Sequence, residues 1–368
     1  MERIDTDRTT PGFEPEDDPR IPWRPSLPGI VARLIVLGGV IGLLLAIPYL
    51  MPEVLVNIAS KAAVFAIVAL SMNLLMGYTG QVSLGHAAFL GFGAFGSAYL
   101  ISQSDVPWIG GIIGGTLIGG LAALPLGAIA LRVQGLYLAL VTIAFGFLAQ
   151  ETVFKVRSVT GGGAGAQAPR PSFASGDIAY VYVCLVVLFL VWALDWRLTA
   201  SRAGRAIQAL RDDERVAASW GINVTGYKLL AFTLSGAIAG LAGGLFAGIE
   251  QIVSPQDFQF GLSVTFVLMT VVGGLGSRPG VVTGGILFAT LPTLFEQAHA
   301  AWSWWPFGIL WEPLIAALLL IVTLIFFPGG IAQQNEHLYR WLSFRRFHEH
   351  KSSAVAGGAA GGGEGARP

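Results

Sequence analysis

RLTASRAGRAIQALRDDERVAASWGINVTGYK, residues 197–228, is the most highly charged segment between the two ends of the chain, and hydrophobic runs long enough to cross a bilayer flank it on both sides. Arg197, Arg202, Arg205, Arg211, Arg215 and Lys228 make it the dominant basic loop. Loops rich in Lys and Arg stay on the cytoplasmic side, which orients the rest of the chain. Within the loop, residues 203–220 read as a short amphipathic helix. Ile207, Leu210, Ala217, Ala218 and Trp220 supply its apolar residues. Gly221 follows in the position of a C-terminal cap. A helix resting on lipid would have a basic polar face. Asp212, Asp213 and Glu214 give this one both signs of charge, which suits a protein partner.

Composition agrees with a chain that lives in a membrane. Of 368 residues, 54% are hydrophobic and only 12% charged, about half the charge of a soluble domain. The mean hydropathy is +0.67. A net charge of +0 gives nucleic acid no reason to bind. The lone Cys184 lies in an apolar run and allows neither a disulfide framework nor a thiolate metal site. The 49 glycines suit close helix packing in lipid.

Working outward from the loop gives an all-α, polytopic transmembrane bundle of about ten membrane segments. Residues 1–29, acidic and proline-rich, form an expected disordered cytoplasmic tail. Residues 30–330 are the transmembrane region, and 331–368 a basic and then Gly/Ala-rich disordered tail. Spans are expected over 30–50, 54–76, up to 101, 108–131, 136–154, 178–196, 229–249 and 307–327. Two shorter segments, 261–275 and 281–295, resemble half-helices around an inner turn, GGLGSRPG (273–280), that carries Arg278. Both termini then lie on the cytoplasmic side. Loop 160–177, too polar and glycine-rich for a helix, and the connection 250–259 lie outside. Lys155 and Arg157 run against that orientation.

A polar break at GYTGQVSLGH (77–86) interrupts the apolar pattern with Gln81, Ser83 and His86. Irregular backbone at membrane depth is tolerated only where protein or a watery cavity covers it. The break therefore either lines a pathway or makes a plain cytoplasmic turn. Asn73, Gln81, Ser83 and His86 are the candidate path residues. The alternatives are a helix–helix hydrogen bond for Asn73 and a structural bond to backbone for His86. The sequence contains no GxxxxGK[ST] phosphate loop, no GxSxG elbow and no His set at metal-ligand spacing. Neither catalytic residues, a cofactor nor a metal is expected.

Three stretches together resemble one family. MNLLMGYTGQVSLGHAAFLGFGAF (72–95), GRAIQALRDDERVAASWGINVTGYKLLAF (204–232) and SPQDFQFGLSVTFVLMTVVGGLGSRPGVVTGG (254–285) are similar to the permeases of branched-chain amino-acid ABC importers, closer to the longer of the two paralogues. The resemblance spans roughly 30–330. It implies a bacterial or archaeal cytoplasmic-membrane subunit that pairs with a second permease, two cytoplasmic ATPases and an extracytoplasmic solute-binding protein. Its solute would be a branched-chain or related aliphatic amino acid, although related systems carry urea and short amides. It also implies that Gly204, Arg205, Arg211, Asp212, Asp213, Glu214, Ala218 and Gly221 form the surface that couples to the ATPase. Two departures from the family pattern stand out. Arg215-Val216 separates the acids from the alanines, and the outer loop reads TGGGAGAQAPRP. A stand-alone secondary carrier or channel would instead place ion-binding residues at mid-membrane and carry no docking helix.

Overall fold

In hydrocarbon every backbone N–H must find its partner within its own segment, so the apolar stretches of the chain become helices. A computed structural model describes residues 53–301 except 105, 131–132, 134 and 163–164, together with 314, 318, 321 and 331. The expected spans 30–50 and 307–327 and both tails lie outside the described residues, apart from those four isolated positions. The described residues all fall in the unit Pro48–Pro368.

All eight remaining segments are helical. They are α1 (Glu53–Met72), continued by a π-helical turn Asn73–Gly77, α2 (His86–Gln103), α3 (Trp108–Ala130), α4 (Leu136–Glu151) and α5 (Asp177–Ala200). The basic loop holds α6 (Arg202–Asp212) and α7 (Glu214–Ser219), and then come α8 (Val224–Glu250), α9 (Phe260–Gly273) and α10 (Arg278–Ala301). Among the described residues, six helices are long and apolar enough to cross a membrane: α1, α3, α4, α5, α8 and α10. The α9 helix is short, as expected.

The α10 helix differs from the expected half-helix. It runs 24 residues. Pro279 sits in its first turn, where no N–H is needed. At the far end Glu296, Gln297 and the alanines are good helix formers despite their polarity, so the helix continues where hydropathy falls.

Packing divides the helices into two groups. The α2, α3 and α8 helices form one, and α5, α1, α10 and α9 the other, with α1 touching α8 between them. The α1 and α8 spans are innermost, 67% buried, against 22% for α4 and α5, whose large apolar side chains face outward. Glycine permits the closest approaches. A Cβ on Gly93 would overlap the carbonyl oxygen of Gly240. One on Gly119 would fall 2.6 Å from the carbonyl oxygen of Gly236. These three helices touch backbone to backbone, the close contact that small residues allow in membranes.

The outer loop is more ordered than its composition suggests. Ala166–Gln167 (β1) pairs antiparallel with Ile252–Val253 (β2), Ala166 opposite Val253. Arg170 donates through Nε to the Gly248 carbonyl at 2.7 Å, ion-pairs with Asp177 and covers the Tyr180 ring at 5.0 Å. The loop is thereby fastened across the start of α5 and the end of α8.

Candidate functional site

The basic loop folds as two helices, not the one expected over 203–220. Ser201 caps α6, its hydroxyl accepting from the Gly204 N–H at 3.1 Å. Gly204 is buried, and a Cβ there would stand 2.6 Å from Thr199 Cα. The chain then breaks at Asp213, which is extended at φ −161° and ψ 118°. Its carboxylate accepts from the N–H groups of Arg215 at 2.7 Å and Val216 at 3.2 Å. Asp is among the strongest N-caps, and here that preference outweighs helix continuity. The C-terminal stop is the one expected. Gly221 is left-handed at φ +77° and bonds to the Ala218 carbonyl, while the Ile222 N–H reaches Ala217. That pairing is a Schellman motif.

Three side chains fasten this segment to the adjoining ends of the spans. Arg211 donates to the carbonyl of Gly77 at 2.6 Å. Glu214 pairs with Lys228 of α8 at 2.7 Å, and Lys228, 1% exposed, also donates to the Ala130 carbonyl of α3. Gly77 itself meets the 274–277 turn, because Asn73 Oδ1 accepts from the Gly276 N–H at 2.8 Å. No side chain fits at Gly77, where a Cβ would lie 2.8 Å from both the Asn73 carboxamide carbon and the Gly276 nitrogen. Asn73, Gly77, Gly276 and Arg211 thus converge, one from each of three stretches far apart in sequence and a second from the first stretch. A cleft of about 240 Å³ lies beside them, between residues 79–81, 133–138 and 210–214.

A second junction escaped the sequence reading. Asp195, 4% exposed near the C-terminal end of α5, accepts from the Tyr78 hydroxyl at 3.0 Å and pairs with Arg278 at the start of α10. Arg278 also donates to Thr199. The acid just before Trp196 was the available signal, although its partners could not be read from one stretch.

The other path candidates sit nearby but do not form one cluster of contacts. His86 bonds through Nε2 to Ser71 Oγ at 2.8 Å, and Ser71 and Ser235 exchange hydrogen bonds between α1 and α8. Asn73 Nδ2, Gln81 Oε1, Ser83 Oγ and His86 Nδ1 are buried without a protein partner. A buried unsatisfied polar atom costs about 1–3 kcal/mol, so these four atoms stand out among the buried polar groups.

Arg205, Asp212, Ala218 and Gly221 remain exposed on the segment. Beside them Trp220 is 81% exposed and Val216 54%. The charged candidates overshadowed these two apolar side chains in the sequence, yet they are the largest exposed apolar side chains on α7 and its end.

The Glu214–Lys228 pair makes an asymmetric prediction. Glu214→Ala leaves the buried Lys228 ammonium without its counter-charge, with the Ala130 carbonyl as its remaining acceptor, and is expected to destabilise the chain by about 2 kcal/mol. That is less than the ~3–5 of a fully buried pair, because Glu214 keeps some water. Lys228→Met is expected to cost much less, and adding it to Glu214→Ala to recover most of the loss. Thermal unfolding of the three variants in detergent checks the order.

Residues 54–326 match the family described as branched-chain amino acid transport system / permease component. The chain is 28% identical to the high-affinity branched-chain amino acid transport system permease protein LivM of Salmonella typhimurium, over 82% of this chain and 75% of that one. LivM of Escherichia coli K12 is 29% identical with the same coverage. LivH of Salmonella typhimurium is 24% identical over 76% of this chain and 94% of its own.

Proposed function

The chain belongs to the branched-chain amino acid transport permease family, and from that membership we propose that it forms half of an importer's pathway for branched-chain or related aliphatic amino acids. The other half is a second permease. Two cytoplasmic ABC ATPases drive the cycle, and an extracytoplasmic solute-binding protein delivers the solute in the cytoplasmic membrane of a bacterium or archaeon. The observation that carries this reading is the Arg211 bond to Gly77, which joins the docking segment to the polar break of α1.

In this reading the candidate coupling residues divide their work. Arg205, Asp212, Ala218 and Gly221, with Val216 and Trp220, meet the ATPase. Gly204, Arg211, Asp213 and Glu214 hold the segment's shape and tie it to the spans. Closure of the ATPases displaces the segment. Arg211 carries the movement to Gly77 and thence to the 274–277 turn, and Glu214 carries it through Lys228 to α8. Because α1 and α8 are innermost, their displacement opens or closes the path, a rigid-body switch between two packed arrangements. Asn73, Gln81, Ser83 and His86 offer polar atoms along the inner half of that path.

Reconstitution tests the proposal. Proteoliposomes holding the assembled importer, with ATP inside and loaded binding protein outside, are expected to accumulate radiolabelled leucine and to stop when ATP is withheld. Leucine flux that ignores ATP and follows its own gradient would mark a stand-alone carrier and overturn it.

A further inference from the structure

We propose that a cleft at the outer ends of α1, α9 and α10 is a solute site within this chain, built for a zwitterionic amino acid with an aliphatic side chain. The inference rests on the transport reading above and adds to it the place where the solute is held.

The cleft has a volume of about 560 Å³, inside the range of roughly 300–1,000 Å³ typical of ligand pockets. It lies opposite the coupling segment. Asn57 and Lys61 come from the first half of α1, Asp177 opens α5, Thr265 lies near the start of α9 and Thr293 near the end of α10. The inner ends of these same helices meet at Asn73, Thr199, Gly276 and Arg278. A movement of the coupling segment therefore reaches the elements that wall the cleft.

Its chemistry is mixed in the way an amino acid is mixed. Lys61 and Asp177 place one charge of each sign on its wall, and their side chains are 40% and 43% exposed, so a solute can reach them. Phe65, Leu262 and Phe288 supply an apolar surface, and Phe65 meets the buried Phe266 edge-to-face at 5.5 Å between ring centres. This aromatic wall offers an aliphatic side chain apolar surface to cover, away from water. Lys61 receives the solute carboxylate in place of Glu250, its present partner at 2.7 Å. Asp177 accepts from the solute ammonium while keeping Arg170, since a carboxylate can serve several donors. A solute bearing only one charge can pair with Lys61 or with Asp177 but not with both. A neutral amide can hydrogen-bond to either group but forms no ion pair with Lys61 or Asp177.

The test uses the assembled importer in membrane vesicles. Thr265→Cys and, separately, Thr293→Cys are treated from the outer side with a charged thiol reagent. The native Cys184 is buried and should stay unreactive. Both introduced thiols are expected to react, and excess leucine, without binding protein, to slow the reaction about tenfold while urea does not. Adding Lys61→Met is expected to raise the half-protecting leucine concentration about tenfold, as expected for losing one charge-assisted hydrogen bond. Thiols that react only in the chain purified alone would mean that a partner covers the cleft, and this would overturn the site. Thiols that leucine fails to protect, in vesicles that still import leucine with ATP, would overturn the site and leave the transport function standing. Protection and ATP-driven uptake that both follow a different solute would instead overturn the aliphatic amino-acid assignment.

Discussion

Gly93→Ala is expected to cost the transmembrane bundle about 3 kcal/mol, at the upper end of what overpacking a core does. The added methyl would overlap the Gly240 carbonyl of α8, and backbone cannot swing aside as a flexible side chain can. Relief requires α2 and α8 to separate. Gly240 is itself seated against α3, where a Cβ would fall 2.7 Å from the Gly115 carbonyl oxygen, so the strain spreads through all three helices. Gly261→Ala, at the start of α9, is the matched control, since nothing lies within 4 Å of its added Cβ. The yield of folded protein from membranes and its thermal unfolding in detergent should fall sharply for the first variant and stay near the parent for the second. Equal behaviour of the pair would refute the close glycine seam.

Arg211→Ala is expected to leave a folded importer that hydrolyses ATP and moves little solute. The side chain contributes one hydrogen bond, to Gly77, from the edge of the coupling segment. Its loss does not open the core, where Glu214–Lys228 and Asp195–Arg278 still hold the helix ends. What it removes is the direct tie between the α6–α7 segment and the α1 break. Leucine imported per ATP consumed is expected to fall about tenfold, within the ~5–150-fold span of typical coupling energies. Arg211→Lys, which can still offer one donor to the Gly77 carbonyl, should recover part of the ratio. A merely structural role would lower hydrolysis and uptake together, and the ratio would not move.

The helices were legible because apolar runs and glycine spacing report directly on life in lipid. The short α9 and the stop at Gly221 were legible for local reasons, namely length and a glycine where a left-handed residue is needed. The break at Asp213 was hidden because Asp212, Asp213 and Glu214 read equally well as the polar face of one helix. Only the folded backbone shows that Asp213 serves as a cap. The full length of α10 was hidden for the converse reason, since Glu296 and Gln297 lower hydropathy without opposing a helix. The junctions could not be read at all. Arg211 meets Gly77, Asn73 meets Gly276, and Asp195 meets Tyr78 and Arg278 across long sequence separations that no local pattern encodes. The polar break looked like one patch of similar residues. In the fold Asn73 turns to the 274–277 turn and His86 to Ser71, while Gln81 and Ser83 keep buried atoms unpartnered.

The account turns on the segment 201–221 being the point where ATP-driven movement enters the chain. Its most direct test places a photo-activated cross-linker at Trp220, the most exposed large apolar side chain among the described residues of the segment. In the assembled importer it should capture the ATPase subunit, with a yield that changes when ATP is added. Capture of lipid or the second permease alone, indifferent to ATP, would contradict the account.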